Sequence, residues 1–565
     1  MKQFKEEVSL LLEKHVGEMM DLQEIRESVE VPKYAEKGDV AFPCFKLAKS
    51  MRKNPAMIAK ELSETITDDR FDIVAENAYL NFFVKKERLA EIVVGSILEE
   101  GEAYGATNVG ENKTMIVEYS SANISKELHF GHIRGIMIGS SLYKLAKFLG
   151  YNAVAVNHLG DYGINFGKII TAYKHWGDDK DIEERGVRAL LDLYVKFEKF
   201  SKRDEKFMEE ARQWFHKLEV EKDQEAYDLW SWFKEISLAE YNRVYDMLGA
   251  TFDSYDGEAF YSDKMPAVHK ELVEKDLLFY EDGMELIDMS DYNLTNVIVT
   301  TSAGTSLYIT RDIACAIYRK NHYDFYKNLY VVGSEQRLHF QQLRAILHKM
   351  GRQWWDDCVH VDHGLIMLKD GKLSSREGGV IFLEDVIQMA VQKTLELIDQ
   401  KNPGLEDKEE VARQVGLGAI AYKELSTSRI KDYIFDWDEA LSFEGETGPY
   451  LQYANVRAHS LLERGEADLK DIDYSHLTEE ASSLLIRELS SFDEVLETAL
   501  EKHEPAILSR YLMGVAKLFN RFYQQVSVIT EDEEATRAKL ALVKAVSQVL
   551  ENGMKLINME APKKM

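Results

Sequence analysis

Two histidines flank an aromatic residue and a glycine in His129-Phe130-Gly131-His132, with Lys126 three positions upstream and Arg134 two downstream. The histidines are three apart, so one helical turn would set both rings on one face. Gly131 has no side chain, so a flat ring or a phosphate can approach the backbone closely. A helix opening at this point aims free N–H groups outward and favours anions. This is chemistry for holding a triphosphate by placed donors, with no covalent intermediate. The same pair could equally be core or surface histidines, or metal ligands, although a zinc site would need further ligands.

Two later stretches carry comparable groups. In TTSAGTSLYITRDIACAIYRK, Gly304 marks a turn, Thr310 is the expected helix N-cap and Asp312 falls in the first turn. Tyr308 and Asp312 are four apart and can line one pocket, yet an acid there also serves the helix dipole without any ligand. In HGLIMLKDGKLSSREGGVIFLEDV, Lys369-Asp370-Gly371 signals a turn, and glycines follow at 378 and 379. Lys372 and Arg376 could close over a triphosphate as pyrophosphate leaves; the alternative is a surface hairpin with ordinary cations.

These groups need elements to position them. Thr114, Ile116, Val117 and Tyr119 read as a strand, followed by the polar turn Ser120-Ser121-Ala122-Asn123. A helix-compatible run continues through Ile136, Ile138, Leu142, Leu145 and Phe148. Strand, turn and helix form the front of a nucleotide-binding βα unit. Ala153 to Val156 is a second buried strand ending in His158-Leu159-Gly160-Asp161, and LYVVGSEQRLHFQQL is a third with Gln336 and His339 at its polar exit. Ligands bind at such carboxyl ends in open α/β sheets.

The expected fold is α/β. A parallel-sheet catalytic domain of Rossmann type spans 113–385, with a charged helical insertion at about 170–250 that carries no assigned chemistry. An α+β domain over 1–105 precedes it, and an all-α region over 386–565 follows. In the first domain, alternation puts Tyr79, Asn81 and Phe83 on one strand face, which either stacks on an exposed base or lies buried. In the last, Leu508, Tyr511, Leu512, Val515, Phe519 and Phe522 form an amphipathic stripe for a bundle core.

The net charge of -28 over 565 residues speaks against a nucleic-acid partner, because phosphate contacts need local positive charge. Any RNA contact must rest on local basic faces. Cys44, Cys315 and Cys358 are far apart, which excludes a disulfide framework or a C-x-x-C zinc site. The first twenty residues carry acids throughout and do not read as a signal peptide. No run of about eighteen apolar residues exists, so no helical membrane span is expected, and a reduced cytoplasmic location is the expectation.

The stretch EYSSANISKELHFGHIR resembles the His-x-Gly-His signature of class I aminoacyl-tRNA synthetases, in the extended form of the arginyl family. Asn157-His158-Leu159-Gly160-Asp161 is similar to a second family pattern, with Tyr162 where Trp is common. Lys372-Leu373-Ser374-Ser375-Arg376 resembles the class I Lys-Met-Ser-Lys-Ser loop, and SFEGETGPYLQYA the entry to the arginyl anticodon domain. The likeness covers nearly the whole chain in order.

The resemblance implies a ligase that activates L-arginine with ATP, as its Mg2+ complex, and transfers it to the 3' end of tRNA(Arg). It implies catalytic roles for His129, His132, Lys126, Lys372 and Arg376. It implies ATP contacts at Gly131, Ser374, Gly160 and Asp161, and arginine contacts at Glu118, Ser121, Asn123, Tyr308, Asp312 and Gln336. Contacts to tRNA fall to Tyr79 and Asn81 at the elbow, and to Tyr523 and Met565 near the anticodon. Ser375 replaces the loop's second lysine, and Lys126 is the expected compensating charge. No resident metal and a monomer are expected. Three rivals remain open: a class I ligase for another amino acid, a small-molecule nucleotidylyltransferase, and a non-catalytic RNA-binding relative.

Overall fold

The structure is a computed structural model that describes residues 1–124, 126–302, 308–368, 381–466 and 468–565. The chain opens with α1 (Lys2–Val16), which buries Phe4, Val8, Leu11 and Leu12 along one stripe. A helix starts at Pro55. Asn54 accepts the Ala56 N–H, and Pro55 opens α2 (Pro55–Thr65), where its missing donor costs nothing. The strands β1 (Val40–Pro43), β2 (Phe71–Glu76) and β3 (Tyr79–Val84) form an antiparallel sheet in the order β1-β3-β2, and α3 (Lys86–Glu100) follows.

The central position of β3 corrects one expectation. Asn81 is only 4% exposed, because Gly38 crosses over it so closely that a Cβ there would sit 3.3 Å from the Asn81 Cβ. Its amide is not offered to a base. Tyr79 is half-buried, edge-on to Phe45.

The main sheet is parallel in the order β10-β9-β4-β5. The first two of its strands in the chain are β4 (Thr114–Glu118) and β5 (Asn152–Val156), joined by α4 (Ile133–Phe148). An insertion follows, with α5 (Ile164–Trp176), α6 (Val187–Ser201) and α7 (Gln224–Met247) as its main helices. A meander of β6 (Leu278–Glu281), β7 (Met284–Ile287) and β8 (Val297–Thr300) leads to α8 (Tyr308–Tyr323). Then β9 (Lys327–Gly333), α9 (Arg337–Lys349) and β10 (Cys358–His363) complete the sheet. The chain thus builds outward from β4 to β5, then returns to the other side of β4. That reversal opens a crevice at the carboxyl ends of β4 and β9, the place where such sheets take ligands.

The C-terminal third is helical except at one point. The helices are α10 (Leu383–Lys401), α11 (Lys408–Ser426), α12 (Gly448–Gly465), α13 (Ala506–Gln525) and α14 (Glu533–Leu556). The expected stripe from Leu508 to Phe522 is buried along α13. The exception corrects the all-helical expectation. Between α11 and α12, β12 (Tyr433–Phe435) pairs parallel to β11 (Ile366–Leu368), carrying a strand-prone Tyr-Ile-Phe run. One continuous apolar cluster runs from Phe4 through Ile136 to Phe519, so the three regions pack as one body. Arg134 on α4, fully buried, ties the sheet to β12 by donating to the carbonyls of Ser428, Arg429 and Lys431. Among the described residues, no helix is long and apolar enough to cross a membrane.

Candidate active site

His129 caps the short turn Phe130–His132 that runs into α4. Its Nδ1 accepts the Gly131 N–H at 3.1 Å, and His132 Nδ1 accepts the His129 N–H at 3.0 Å. The ring centroids lie 3.8 Å apart. Each Nδ1 is spent as an acceptor, so the proton of each neutral ring is on Nε2. Burial pulls the His132 imidazolium down to about 3, and burial with the Lys126 ammonium lowers His129. Both rings are therefore neutral donors at pH 7, not cations. Gly131 is needed here, because a Cβ would lie 3.0 Å from the His129 ring.

The turn after β4 is strained. Ser120 and Ser121 have φ of 72° and 50°, in the left-handed region that costs side-chain-bearing residues about 1–3 kcal/mol each. Ser121 Oγ, Asn157 Oδ1 and His158 Nδ1 are buried and have no hydrogen-bond partner among the described residues. All three lie just past the carboxyl ends of β4 and β5, and orphaned polar atoms there suit a ligand better than an empty core. Asn123 pairs with Gly160 across this gap, and a Cβ on Gly160 would collide with Asn123 Oδ1 at 2.2 Å. Gly160 thus makes room for Asn123.

Asp161 corrects a second expectation. Its carboxylate is turned inward, with Lys234 of α7 at 2.6 Å on one oxygen and the Ala259 N–H at 2.8 Å on the other. It braces the insertion against the short helix Glu258–Tyr261 and is not presented to a nucleotide.

The acids are placed as follows. Glu118, 5% exposed, holds Arg319 NH1 at 2.5 Å. Asp312 Oδ2 lies 2.7 Å from His339 Nε2. Burial acts to lower His339, but the bond to Asp312 and its charge outweigh that, and the imidazole is raised. Cys315, one turn beyond Asp312, brings its sulfur within 4.8 Å of Glu118 and His158. The two acids therefore approach one face of α8, and each already has an internal partner, Glu118 the Arg319 guanidinium and Asp312 the His339 imidazole. The Glu118–His158–Cys315 cluster has the reach for a metal. However, burial pushes the Cys315 thiol up to about 12 and Arg319 already neutralises Glu118, so its chemistry does not suit a cation.

Thr310 is not an N-cap: α8 opens at Tyr308, leaving Thr310 buried inside and Asp312 beyond the first turn. Tyr308 is 67% exposed and, with Tyr162, Glu258, Glu285 and Arg311, lines a cavity of about 800 Å³. There Glu258 is paired with Arg311 at 3.0 Å, and its burial pushes the carboxyl up to about 7. Gln336 is exposed where β9 ends and α9 begins.

Lys126 is exposed, its ammonium 5.4 Å from the Tyr194 ring centroid. Lys372, Ser374 and Arg376 lie outside the described residues. The chain on either side of them is anchored: β11 on β12, and Ile381 and Leu383 by backbone bonds of 3.0 and 2.7 Å to Phe130 and Leu128. Tyr523, 37% exposed, sits on α13 with Arg457 4.8 Å over its ring. Met565 packs against Ile398, Val411 and Val415 of α10 and α11, so the terminus is folded down.

Sequence reasoning missed Arg319, although its spacing of seven from Asp312 on one helix was a usable signal. It also missed Tyr241 and Tyr245 of the insertion, whose hydroxyl bonds all reach residues far along the chain.

Comparison with known proteins completes the site. Residues 93–437 match the family model for the catalytic domain of class I tRNA synthetases (R), residues 451–565 the DALR anticodon binding domain, and residues 2–84 the arginyl tRNA synthetase N-terminal domain. An arginine–tRNA ligase of Halothermothrix orenii is 47% identical over 565 residues, covering 100% of both chains. Another from Clostridioides difficile is 46% identical over 568 residues, again covering 100% of both. The fold is shared with the arginyl-tRNA synthetase of Thermus thermophilus, with a TM-score of 0.81, 23% identity and 99% of each chain covered. The Plasmodium falciparum arginyl-tRNA synthetase gives 0.78 and 22%, covering 95% of this chain and 94% of that one. With its catalytic, anticodon-binding and N-terminal modules all matched, the chain belongs to the arginyl-tRNA synthetase family of class I.

Proposed function

We propose that the protein activates L-arginine with ATP and transfers it to the 3' end of tRNA(Arg). The observation that carries this reading is a convergence at one sheet edge. Beyond the carboxyl ends of β4 and β5, Ser121, Asn157 and His158 carry buried polar atoms with no partner among the described residues, His158 lies within 4.8 Å of Glu118 and Cys315, and the neutral His129–His132 cap of α4 follows β4 in the chain, in a protein of this family. Glu118 already binds a guanidinium from Arg319, which is the group an arginine side chain would present. Asp312 is the more accessible acid, and Tyr308 lies one turn before it on α8. A planar fork satisfies two acceptors where one lysine ammonium cannot.

ATP enters as its magnesium complex, a substrate and not a resident cofactor. The arginine carboxylate attacks the α-phosphorus, an oxygen–phosphorus bond forms, and pyrophosphate leaves with the electron pair of the broken bond. The ribose hydroxyl of the tRNA then attacks the activated carbonyl, and AMP leaves. His129 and His132 donate Nε2–H to phosphate oxygens as charge shifts, Lys126 adds a positive charge, and Asn123 with Ser121 and Gln336 holds the amino acid's polar end. Lys372, Ser374 and Arg376 complete the phosphate contacts. The first domain, through Tyr79, meets the tRNA elbow, and the last, through Tyr523 and Met565, meets the anticodon loop. The protein works as a cytoplasmic monomer.

The test is ATP–pyrophosphate exchange with each amino acid, with and without tRNA. Exchange supported by arginine alone, and dependent on tRNA, is expected. Exchange driven by lysine or any other amino acid would overturn the assignment.

A further inference from the structure

The helical insertion has no role in the chemistry above, yet its longest helix reaches the strained turn directly. Tyr241 and Tyr245 are one turn apart on α7, and both are fully buried. The Tyr241 hydroxyl is 2.7 Å from the Asn123 carbonyl and also reaches the Lys126 carbonyl, so one proton is shared between two acceptors. The Tyr245 hydroxyl accepts the Asn157 amide at 3.0 Å, which leaves its own proton for Ser120 Oγ at 2.7 Å. Burial pushes Tyr245 up to about 12 and raises Tyr241 as well, so both remain protonated donors. From α6, the Tyr194 ring underlies the Lys126 ammonium, and Arg188 bridges Glu127 at 2.9 Å and Asp385 at 3.3 Å. Ser120 and Ser121 lie at positive φ, where a chain with side chains does not rest unaided.

We infer that Tyr241 and Tyr245 are positioning residues for the reaction. They hold the left-handed Ser120 by its hydroxyl and the backbone of Asn123 and Lys126 by their carbonyls, setting Asn123 for the amino acid and Lys126 for the triphosphate. The insertion is thus a buttress of the active site, and a small misplacement there is costly because rate depends steeply on alignment. The inference rests on the roles proposed above for Asn123 and Lys126.

The experiment compares Tyr241→Phe, Tyr245→Phe, Ser120→Ala and Asn123→Ala in the full-length chain. The readouts are arginine-dependent pyrophosphate exchange with saturating tRNA, thermal unfolding and tRNA retention on filters. Tyr241→Phe keeps the ring and removes only the hydroxyl. It is expected to lower kcat about ten-fold and raise the arginine KM about ten-fold. The ATP KM and tRNA retention should match the wild type, and the unfolding midpoint should fall only by the few degrees that one lost hydrogen bond costs. Tyr245→Phe and Ser120→Ala cut the same bond from opposite ends, and Tyr245→Phe also releases Asn157, so the double variant should be no worse than Tyr245→Phe alone. Full additivity of that pair, or wild-type kinetics in both phenylalanine variants beside a damaged Asn123→Ala, overturns the role of the tyrosines. Wild-type kinetics in Asn123→Ala overturns the site reading itself. Should Tyr241→Phe fail to fold, the Tyr245–Ser120 cycle decides alone.

Discussion

The two nitrogens of His132 do different work, and two substitutions separate them. Nδ1 accepts the His129 N–H at 3.0 Å and completes a reciprocal cap, while Nε2 carries the proton proposed above for the phosphate. Asparagine places an acceptor near the Nδ1 position and lacks the distal donor. Glutamine reaches the Nε2 position and abandons the cap. His132→Asn should therefore keep its stability within about 0.5 kcal/mol of the wild type, while kcat for pyrophosphate exchange falls about 10²–10³-fold, the range for losing one preorganised donor. His132→Gln should lose about 0.5–2 kcal/mol of stability with the cap, yet retain more of its kcat.

The pH dependence tests the same geometry. His132 is held at about 3 in the folded chain against an ordinary 6.5. Between those values the unfolded chain binds a proton that the folded chain does not, so stability falls as pH drops below 6.5. At about 1.4 kcal/mol per pH unit, the 1.5 units from 6.5 to pH 5 amount to about 2 kcal/mol, and residual solvent screening at this partly buried ring leaves about 1. His132→Asn lacks this loss. Urea unfolding at pH 7 and pH 5 should therefore show the variant gaining about 1 kcal/mol on the wild type. In exchange assays over the same range, the wild-type kcat should show no limb belonging to His132. A limb near pH 6.5 that disappears in His132→Asn would mean the ring works as a cation, and the neutral-donor reasoning would fail.

Asp312→Ala should raise the arginine KM about 10–100-fold, the cost of losing a charged hydrogen bond, and leave the ATP KM within about two-fold; equal effects on both would remove Asp312 from the arginine pocket. Lys126→Ala should slow adenylate formation in single-turnover kinetics while filter binding of tRNA is unchanged, and loss of tRNA retention would reassign it to RNA contact. Arg134→Met should destabilise the chain by about 3–5 kcal/mol, because Glu424, its buried partner at 3.7 Å, is left unpaired. Burial already pushes Glu424 up to about 7, so it is neutral below that pH and ionised above it. The deficit of Arg134→Met should therefore be larger at pH 8 than at pH 6, and denaturant titrations at the two pH values showing the reverse would refute the pairing.

Much of this was written locally. The run from Thr114 to Phe148 encodes strand, turn and helix through the spacing of its apolar residues, and α13 does the same through the stripe from Leu508 to Phe522. The pairing of His129 with His132 needs only the geometry of one turn. What was illegible depended on partners far along the chain. Asn81 looks available within its strand and is hidden by Gly38. Asp161 looks like a ligand at a strand exit and is captured by Lys234. The short β12 appears only because β11 lies beside it.

The sequence by itself determined which donors, acids and glycines exist, and which strand ends and helix starts carry them, because alternation and helical spacing act over a few residues. Only the tertiary structure decided their charge and availability. It leaves His132 a neutral donor, gives Glu118 and Asp312 internal partners in Arg319 and His339, and recruits Tyr241 and Tyr245 to hold the turn. Protonation and freedom to bind depend on burial and on neighbours within a few ångströms, and folding chooses those neighbours from anywhere in the chain.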